Sequence, residues 1–90
     1  MDQTADYKNL ITEIIKKQMD ILGPEIALGK ARKVEGLTVG DDGTASSLSG
    51  DAQMVLQALV DQYIALSGEI VKNILSPVFV KYPEIKINLK

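Results

Sequence analysis

The sequence predicts a mainly α, α+β fold: two N-terminal helices, a short β-hairpin and one long helix (α-α-β-β-α), with a short C-terminal turn or tail. Three observations predict it. Apolar residues recur at three- and four-residue steps on both sides of the centre of the chain. A Gly-Pro pair divides the first helical segment from the second. A glycine-rich stretch with strand-like ends interrupts the helical pattern. The length of 90 residues indicates a single small domain over 1–90.

The composition is that of a globular protein with few reactive groups. Hydrophobic residues make up 46% and charged residues 24%, and the net charge is -2. The chain has no histidine and no cysteine, which excludes an imidazole base, a thiolate nucleophile and a disulfide. The charge gives no long-range attraction to nucleic acid, and no apolar run is long enough to span a membrane. We expect a cytoplasmic protein that is not an enzyme and holds no cofactor or metal.

The first helix is expected over residues 5–22. Its apolar positions, from Tyr7 to Leu22, fall at helical spacing with charged residues between them. Gly23 and Pro24 end the helix, because glycine adopts the left-handed cap conformation and proline donates no backbone hydrogen bond.

Pro24 also begins a second helix, expected over residues 24–34, because its ring fixes φ at a helical value. The basic cluster of the sequence lies near the end of this helix and comprises Lys30, Arg32 and Lys33. Cations at a helix C-terminus complement the helix dipole. No aromatic residue lies between them, so we interpret the cluster as a solvated helix end and not as a nucleic-acid surface.

A hairpin is predicted after Gly36, with a first strand over residues 37–39 and a turn at Asp41-Asp42-Gly43. Two turn types fit, and they differ in the partners of the first strand. A type I turn with a left-handed Gly43 gives the pairs Leu37–Ser47 and Val39–Ala45. A two-residue turn at Asp42-Gly43 gives instead the pairs Leu37–Leu48 and Val39–Ser46.

The same loop is the place where carboxylates, hydroxyls and glycines are concentrated. A calcium-binding EF-hand loop aligned on Gly43 would require acidic residues where Thr38 and Gly40 stand, and a glutamate where Ser49 stands. A phosphate-binding loop would require a Gly-Lys-Ser/Thr sequence, which is missing. We therefore interpret the loop as a structural turn.

The longest helix is expected over residues 51–75, beginning at Ser49 or Gly50. At 1.5 Å per residue it would be about 37 Å long. Its apolar surface is wider than one stripe, and exposed apolar area in a soluble protein indicates a partner surface. We hypothesise a homodimer, or a complex with another protein, formed through this helix. The alternative is that the monomer itself covers the whole surface. The candidate interface residues are Leu56, Leu59, Val60, Tyr63, Ile70 and Ile74.

Two positions, one at a glycine and one at a proline, are places where the long helix could be interrupted. Gly68 marks either a close contact or a weak point, and Ser76-Pro77 ends the helix or restarts it as a short turn.

The alternation over residues 85–89 indicates a terminal strand or a tail. Asp61 and Glu69 would be about 12 Å apart on one face, too far for a glycosidase-type carboxylate pair.

The stretch Ile21-Leu22-Gly23-Pro24-Glu25-Ile26-Ala27 resembles a small helical module attached to bacterial and archaeal signalling proteins, including receiver-type regulators and serine/threonine kinases. That module carries a Leu-Gly-Pro-x-Ala junction between two helices, and here one further residue separates Pro24 from Ala27. The similarity covers about a quarter of the chain. It implies a non-catalytic interaction or regulatory domain, with no active-site residues to transfer.

A second hypothesis is a binder of a small apolar ligand or lipid. Helices rich in isoleucine, leucine and valine readily enclose an apolar pocket. A co-purified ligand would favour this reading over a protein-interaction module.

Overall fold

The computed structural model describes residues 4–83 and 85, and its elements follow one another in the predicted order. The mainly α, α+β fold class is confirmed. The elements are α1 (Thr4–Leu22), α2 (Pro24–Arg32), β1 (Leu37–Val39), β2 (Ala45–Leu48), α3 (Ala52–Ser67) and α4 (Glu69–Val80).

α1 and α2 pack against each other and are joined by Gly23 alone. Gly23 has a φ of 88°, and its N–H donates to the carbonyl oxygen of Met19 at 3.0 Å. Pro24 occupies the first position of α2, as predicted. α2 ends two residues before position 34, because Lys33 and Val34 donate to carbonyls three residues back, which tightens the last turn.

The hairpin combines the two predicted registers. Val39 pairs with Ala45 next to the turn, whereas Leu37 pairs with Leu48 at the far end. Ser46 is the extra residue between these pairs and forms a β-bulge, and its hydroxyl donates to the carbonyl oxygen of Thr38 at 3.2 Å. The pair next to the turn is therefore the one predicted for the type I turn, and the pair at the far end is the one predicted for the two-residue turn.

The hairpin rests on α1. The backbone N–H of Ala45 donates to the hydroxyl of Thr12 at 2.9 Å. Gly43, at the turn, is buried with a φ of 87°, and a Cβ there would lie 2.6 Å from the sulfur of Met19. An isolated two-stranded ribbon is marginally stable, so this support from a helix explains how the hairpin persists.

The expected long helix is two helices. Gly68, with φ 55° and ψ -115°, lies between α3 and α4 as the single non-helical residue. The expectation of one continuous helix over residues 51–75 is therefore wrong. α3 begins after Asp51, whose carboxylate accepts the backbone N–H of Gln53 at 3.0 Å as an N-cap, and not after Ser49 or Gly50.

α4 also continues past the predicted stop at Ser76-Pro77 and ends at Val80. Pro77 lies in its last turns, and the hydroxyl of Ser76 donates to the carbonyl oxygen of Lys72 at 2.8 Å. The predicted terminal strand or tail over 85–89 lies outside the described residues apart from Ile85. Ile85 is buried, and its N–H donates to the carbonyl oxygen of Tyr82 at 3.0 Å.

All six elements contribute to one core. α3 is central to it, because α1, α2 and α4 all contact this helix. The hydroxyl of Tyr63 on α3 donates to the carbonyl oxygen of Ala27 on α2 at 2.8 Å, and burial raises the pKa of this phenol. The largest fully buried apolar side chains are Leu10, Ile11, Ile14, Ile15, Leu56, Leu59, Val60, Tyr63, Val71 and Leu75.

Candidate interaction surface

Four of the six predicted interface residues lie in the core of the chain itself. All four are on α3 and have no exposed surface: Leu56, Leu59, Val60 and Tyr63. Three helices surround α3, so its wide apolar surface is used within the monomer. A partner cannot reach these four side chains in this fold, and the predicted interface there is corrected.

The other two residues, Ile70 and Ile74, lie on α4. Ile70 is 56% exposed, and Ile74 is partly buried against the core. Because Gly68 bends the chain before α4, these residues face a different environment from the four on α3. Ile70 and Ile74 remain positions that a partner could contact.

α4 has an apolar outer face as well as an apolar inner face. Its inner face is buried and comprises Val71, Leu75 and Val78. Its outer face carries apolar residues at four- and three-residue steps, which places them on one side of a helix. We call this set the outer stripe; it comprises Ile70, Ile74, Pro77 and Val80. Val80 is 77% exposed and Pro77 is exposed, whereas Ile74 is half-buried and the polar Asn73 is exposed on the same side of the helix.

Charged side chains flank the two ends of the outer stripe. Glu69 stands at the start of α4 and pairs with Lys72 at 3.6 Å. Lys81 directly follows α4, and its ammonium lies 3.2 Å from a carboxylate oxygen of Glu13 on α1. The hydroxyl of Tyr82 donates to the other oxygen of that carboxylate at 3.3 Å. Burial and the adjacent Glu13 carboxylate raise the pKa of Tyr82.

Sequence reasoning missed Val80, the most exposed large apolar side chain among the described residues. The sequence does not predict it because Ser76-Pro77 is expected either to end the helix or to restart it as a short turn. Pro77 removes one backbone hydrogen bond inside α4, yet the helix continues to Val80. The three- and four-residue spacing from Ile70 onward is the signal in the sequence.

Among the other residues that the structure describes, the large exposed apolar side chains do not form a comparable helix face. Ile21 and Ile26 lie on either side of the α1–α2 junction, Leu66 is in the last turn of α3, and Met54 is in its first turn. Single exposed apolar side chains are normal on protein surfaces.

The acidic loop is held by contacts of its own. The Asp41 carboxylate pairs with the guanidinium of Arg32 at 2.8 Å. The Asp42 carboxylate accepts the backbone N–H of Thr44 at 3.0 Å, and this bond lowers the pKa of Asp42. Both interactions are those of a structural turn, as the sequence predicts.

The described residues contain neither a metal-binding cluster nor a membrane-spanning helix. Within residues 4–83 and 85, no group of three acidic or other metal-ligating side chains is placed to hold a metal ion. Over the same residues, no helix has the length and apolar character needed to cross a bilayer.

One polar side chain lies in the core without a partner. Gln18 on α1 is fully buried, and neither its amide nitrogen nor its amide oxygen has a hydrogen-bond partner among the described residues. The helical pattern places Gln18 on the buried side of α1, but the pattern alone does not show whether a partner reaches its amide.

Comparisons with protein-family models, with curated proteins and with solved structures find no match to this chain.

Proposed function

We propose that this chain is a non-catalytic protein-interaction and oligomerisation module that forms a homodimer through the outer stripe of α4. The observation that carries the proposal is the exposure of Ile70 and Val80 at the two ends of one helix face. A core residue contributes to the stability of the monomer, whereas these side chains contribute little while they face water. Their burial on association supplies the driving force.

A second copy of the chain is the partner that the charges favour. Antiparallel pairing of two α4 helices brings Glu69 of one copy to the same end as Lys81 of the other. Parallel pairing would instead bring the two Glu69–Lys72 pairs together at one end and the two Lys81–Glu13 pairs together at the other, without this attraction. Antiparallel helices also align their dipoles favourably. The proposed dimer is therefore symmetric and antiparallel at α4.

The regulatory or signalling role is the finer part of the proposal. It is supported by the resemblance at Leu22-Gly23-Pro24, and a cytoplasmic location is supported by the lack of cysteine. Neither requires a catalytic residue in this domain.

Sedimentation velocity between low and high micromolar concentration tests the proposed homodimer. We expect the wild-type chain to associate as concentration rises. Ile70→Lys and Val80→Lys should each leave the chain monomeric, because each places a charge in the buried contact. Circular dichroism should show unchanged helix content, since both side chains are exposed in the monomer.

Met54→Lys is the matched control. Met54 is 70% exposed on α3, outside the outer stripe, so the same charge change there should leave the dimer intact. Loss of the dimer in this control, or its retention in Ile70→Lys, contradicts the proposed surface. Stoichiometric lipid in mass spectra of the purified protein, lost together with association, would favour the apolar-ligand hypothesis.

A further inference from the structure

We infer that α4 can be exchanged between two copies of this chain, with Gly68 as the hinge. In the exchanged dimer α3 and α4 form one straight helix, and the inner face of α4 docks on the core of the other copy. The inference goes beyond the proposed function, because it uses the inner face of α4 and leaves the outer stripe free.

The geometry of the hinge at Gly68 favours the exchange. Gly68 alone connects α3 to α4, and its φ of 55° with ψ of -115° lies in a region that residues with a Cβ rarely adopt. A Cβ at this position would have no heavy atom within 4 Å apart from its chain neighbours. The Cβ side of Gly68 is therefore open, and we attribute the bend to the docking of the inner face of α4 on the core.

The spacing of apolar residues across the hinge also favours one straight helix. Apolar residues continue at helical spacing from Ile64 on α3 through Val71 to Leu75 on α4. At the bend, α4 begins with no side-chain N-cap hydrogen bond. A straight helix would supply carbonyl partners to the first backbone N–H groups of α4. The bent form forgoes these bonds and retains the burial of the inner face.

Exchange preserves the contacts that the bent form makes. Val71, Leu75 and Val78 would dock on the same surfaces, now supplied by the second copy. The contacts of Lys81 and Tyr82 with Glu13 would re-form between copies. Both forms thus bury the same inner face, and they differ chiefly at the hinge, which is the condition under which helices are exchanged.

The shape of the molecule gives the exchange a direct readout. The monomer has a longest dimension of 34 Å. A straight helix from Ala52 to Val80 would be about 43 Å long at 1.5 Å per residue. An exchanged dimer is therefore more elongated than any single copy.

Gly68→Ala tests the hinge, because alanine disfavours the bend and favours a continuous helix. We expect the dimer dissociation constant to fall by more than about tenfold relative to wild type. Light scattering gives the mass and small-angle X-ray scattering gives the longest dimension. A Gly68→Ala chain that remains a monomer of wild-type dimensions overturns the inference.

Gly23→Ala is the matched control. Gly23 also joins two helices with a positive φ and has nothing within 4 Å of a Cβ. Pro24 disfavours a continuous helix across that junction, so Gly23→Ala should destabilise the monomer without promoting the dimer. Equal dimer formation by the two variants would overturn the role of Gly68 as hinge.

Crosslinking tests the exchange without altering the hinge. The chain has no cysteine, so Glu13→Cys and Lys81→Cys chains can be unfolded, mixed at high concentration and refolded, then joined by a short bismaleimide. We expect a crosslink between the two kinds of chain, including when both carry Ile70→Lys to prevent contact through the outer stripe. If refolded mixtures give no such crosslink, the exchange is wrong; if only the Ile70→Lys mixtures fail, the crosslink comes from the proposed surface dimer.

Discussion

The two helix pairs of this molecule are joined in similar ways but are constrained differently. α1 and α2 meet at Gly23, α3 and α4 meet at Gly68, and both glycines have positive φ with no atom near a Cβ. Pro24 follows the first glycine and disfavours a straight helix, whereas Glu69 follows the second and is compatible with one. The first junction is thus constrained by proline, and we infer that the second depends on the docking of α4.

The outer faces of the two pairs differ in the same sense. The exposed side of α1 is largely polar and includes Asp6, Asn9, Lys16, Lys17 and Asp20. The exposed positions of α4 are mixed: Ile70, Pro77 and Val80 belong to the outer stripe, and the polar residues Glu69, Asn73 and Ser76 lie beside them. The pair with the proline-constrained junction thus presents a surface suited to water, whereas the other pair also presents exposed apolar side chains suited to a partner.

The largest expected effect separates the inner face of α1 from the outer face of α4. Ile14→Ala removes part of a side chain with no exposed surface and should lower the free energy of unfolding by about 2–5 kcal/mol. Ile70→Ala, at a 56% exposed position, should change the free energy of the monomer by less than about 0.5 kcal/mol. Urea denaturation at low protein concentration measures both. Similar losses would show that the outer stripe is part of the monomer core.

The second effect concerns Gln18, whose amide is buried in the core without a hydrogen-bond partner. Gln18→Met retains the approximate shape of the side chain and removes its two unpartnered polar atoms, so stability should rise by about 1–3 kcal/mol. Thermal and urea unfolding measure the change. Gln62→Met, at a partly exposed position on α3, should change stability by less than about 0.5 kcal/mol. A loss of stability in Gln18→Met would show that the amide is satisfied within the folded chain.

The hydrogen bond that joins α3 of one helix pair to α2 of the other gives a third, smaller effect. Tyr63→Phe removes the hydrogen bond to the Ala27 carbonyl oxygen and should cost about 1–1.5 kcal/mol. Urea unfolding at neutral pH measures it. No loss would mean that this bond does not hold α3 to α2.

The same phenol makes stability depend on alkaline pH. Burial raises the pKa of Tyr63 above its ordinary 10.0, so the unfolded chain releases this proton first as pH rises. The contribution of the neutral phenol is fully present below pH 10 and declines above it by up to about 1.4 kcal/mol per pH unit. Tyr63→Phe should flatten this decline in urea unfolding between neutral and alkaline pH. Tyr82, whose pKa is also raised, would account for part of the remaining slope.

The smallest effect is expected at Gly29, and Gly23 of the same helix pair provides a contrast of opposite sign. Gly29 lies in the exposed interior of α2 with nothing within 4 Å of a Cβ, so Gly29→Ala should stabilise the fold by about 0.5–1 kcal/mol. Gly23→Ala should destabilise it by about 1–2 kcal/mol, because alanine resists a positive φ. Thermal unfolding of the two variants measures the opposite signs. The same sign for both would refute the claim that conformation alone sets these effects.

Much of the fold could be predicted because its boundaries carry local signals. Gly23-Pro24 marks the first junction, and the Asp-Gly turn marks the hairpin. Gly68 could not be assigned as a junction, since the apolar spacing continues across it and only tertiary docking favours the bend. The bulge at Ser46 could not be predicted either. It lets Val39 pair with Ala45 next to the turn while Leu37 pairs with Leu48 at the other end of the strands.

The candidate surface was predicted only in part. Ile70 and Ile74 were among the predicted interface residues, but Leu56, Leu59, Val60 and Tyr63 proved to be core. A sequence shows how wide an apolar helix face is, whereas the number of helices that cover it depends on how the chain packs. Three helices cover α3, and α4 retains a bare side.

The central claim is that α4 makes this chain associate with itself, and sedimentation equilibrium of the wild-type protein tests it most directly. Data collected from low to high micromolar concentration should show a mass that rises from that of the 9.8 kDa chain to twice that value. A single species of monomer mass across the whole range would contradict the account.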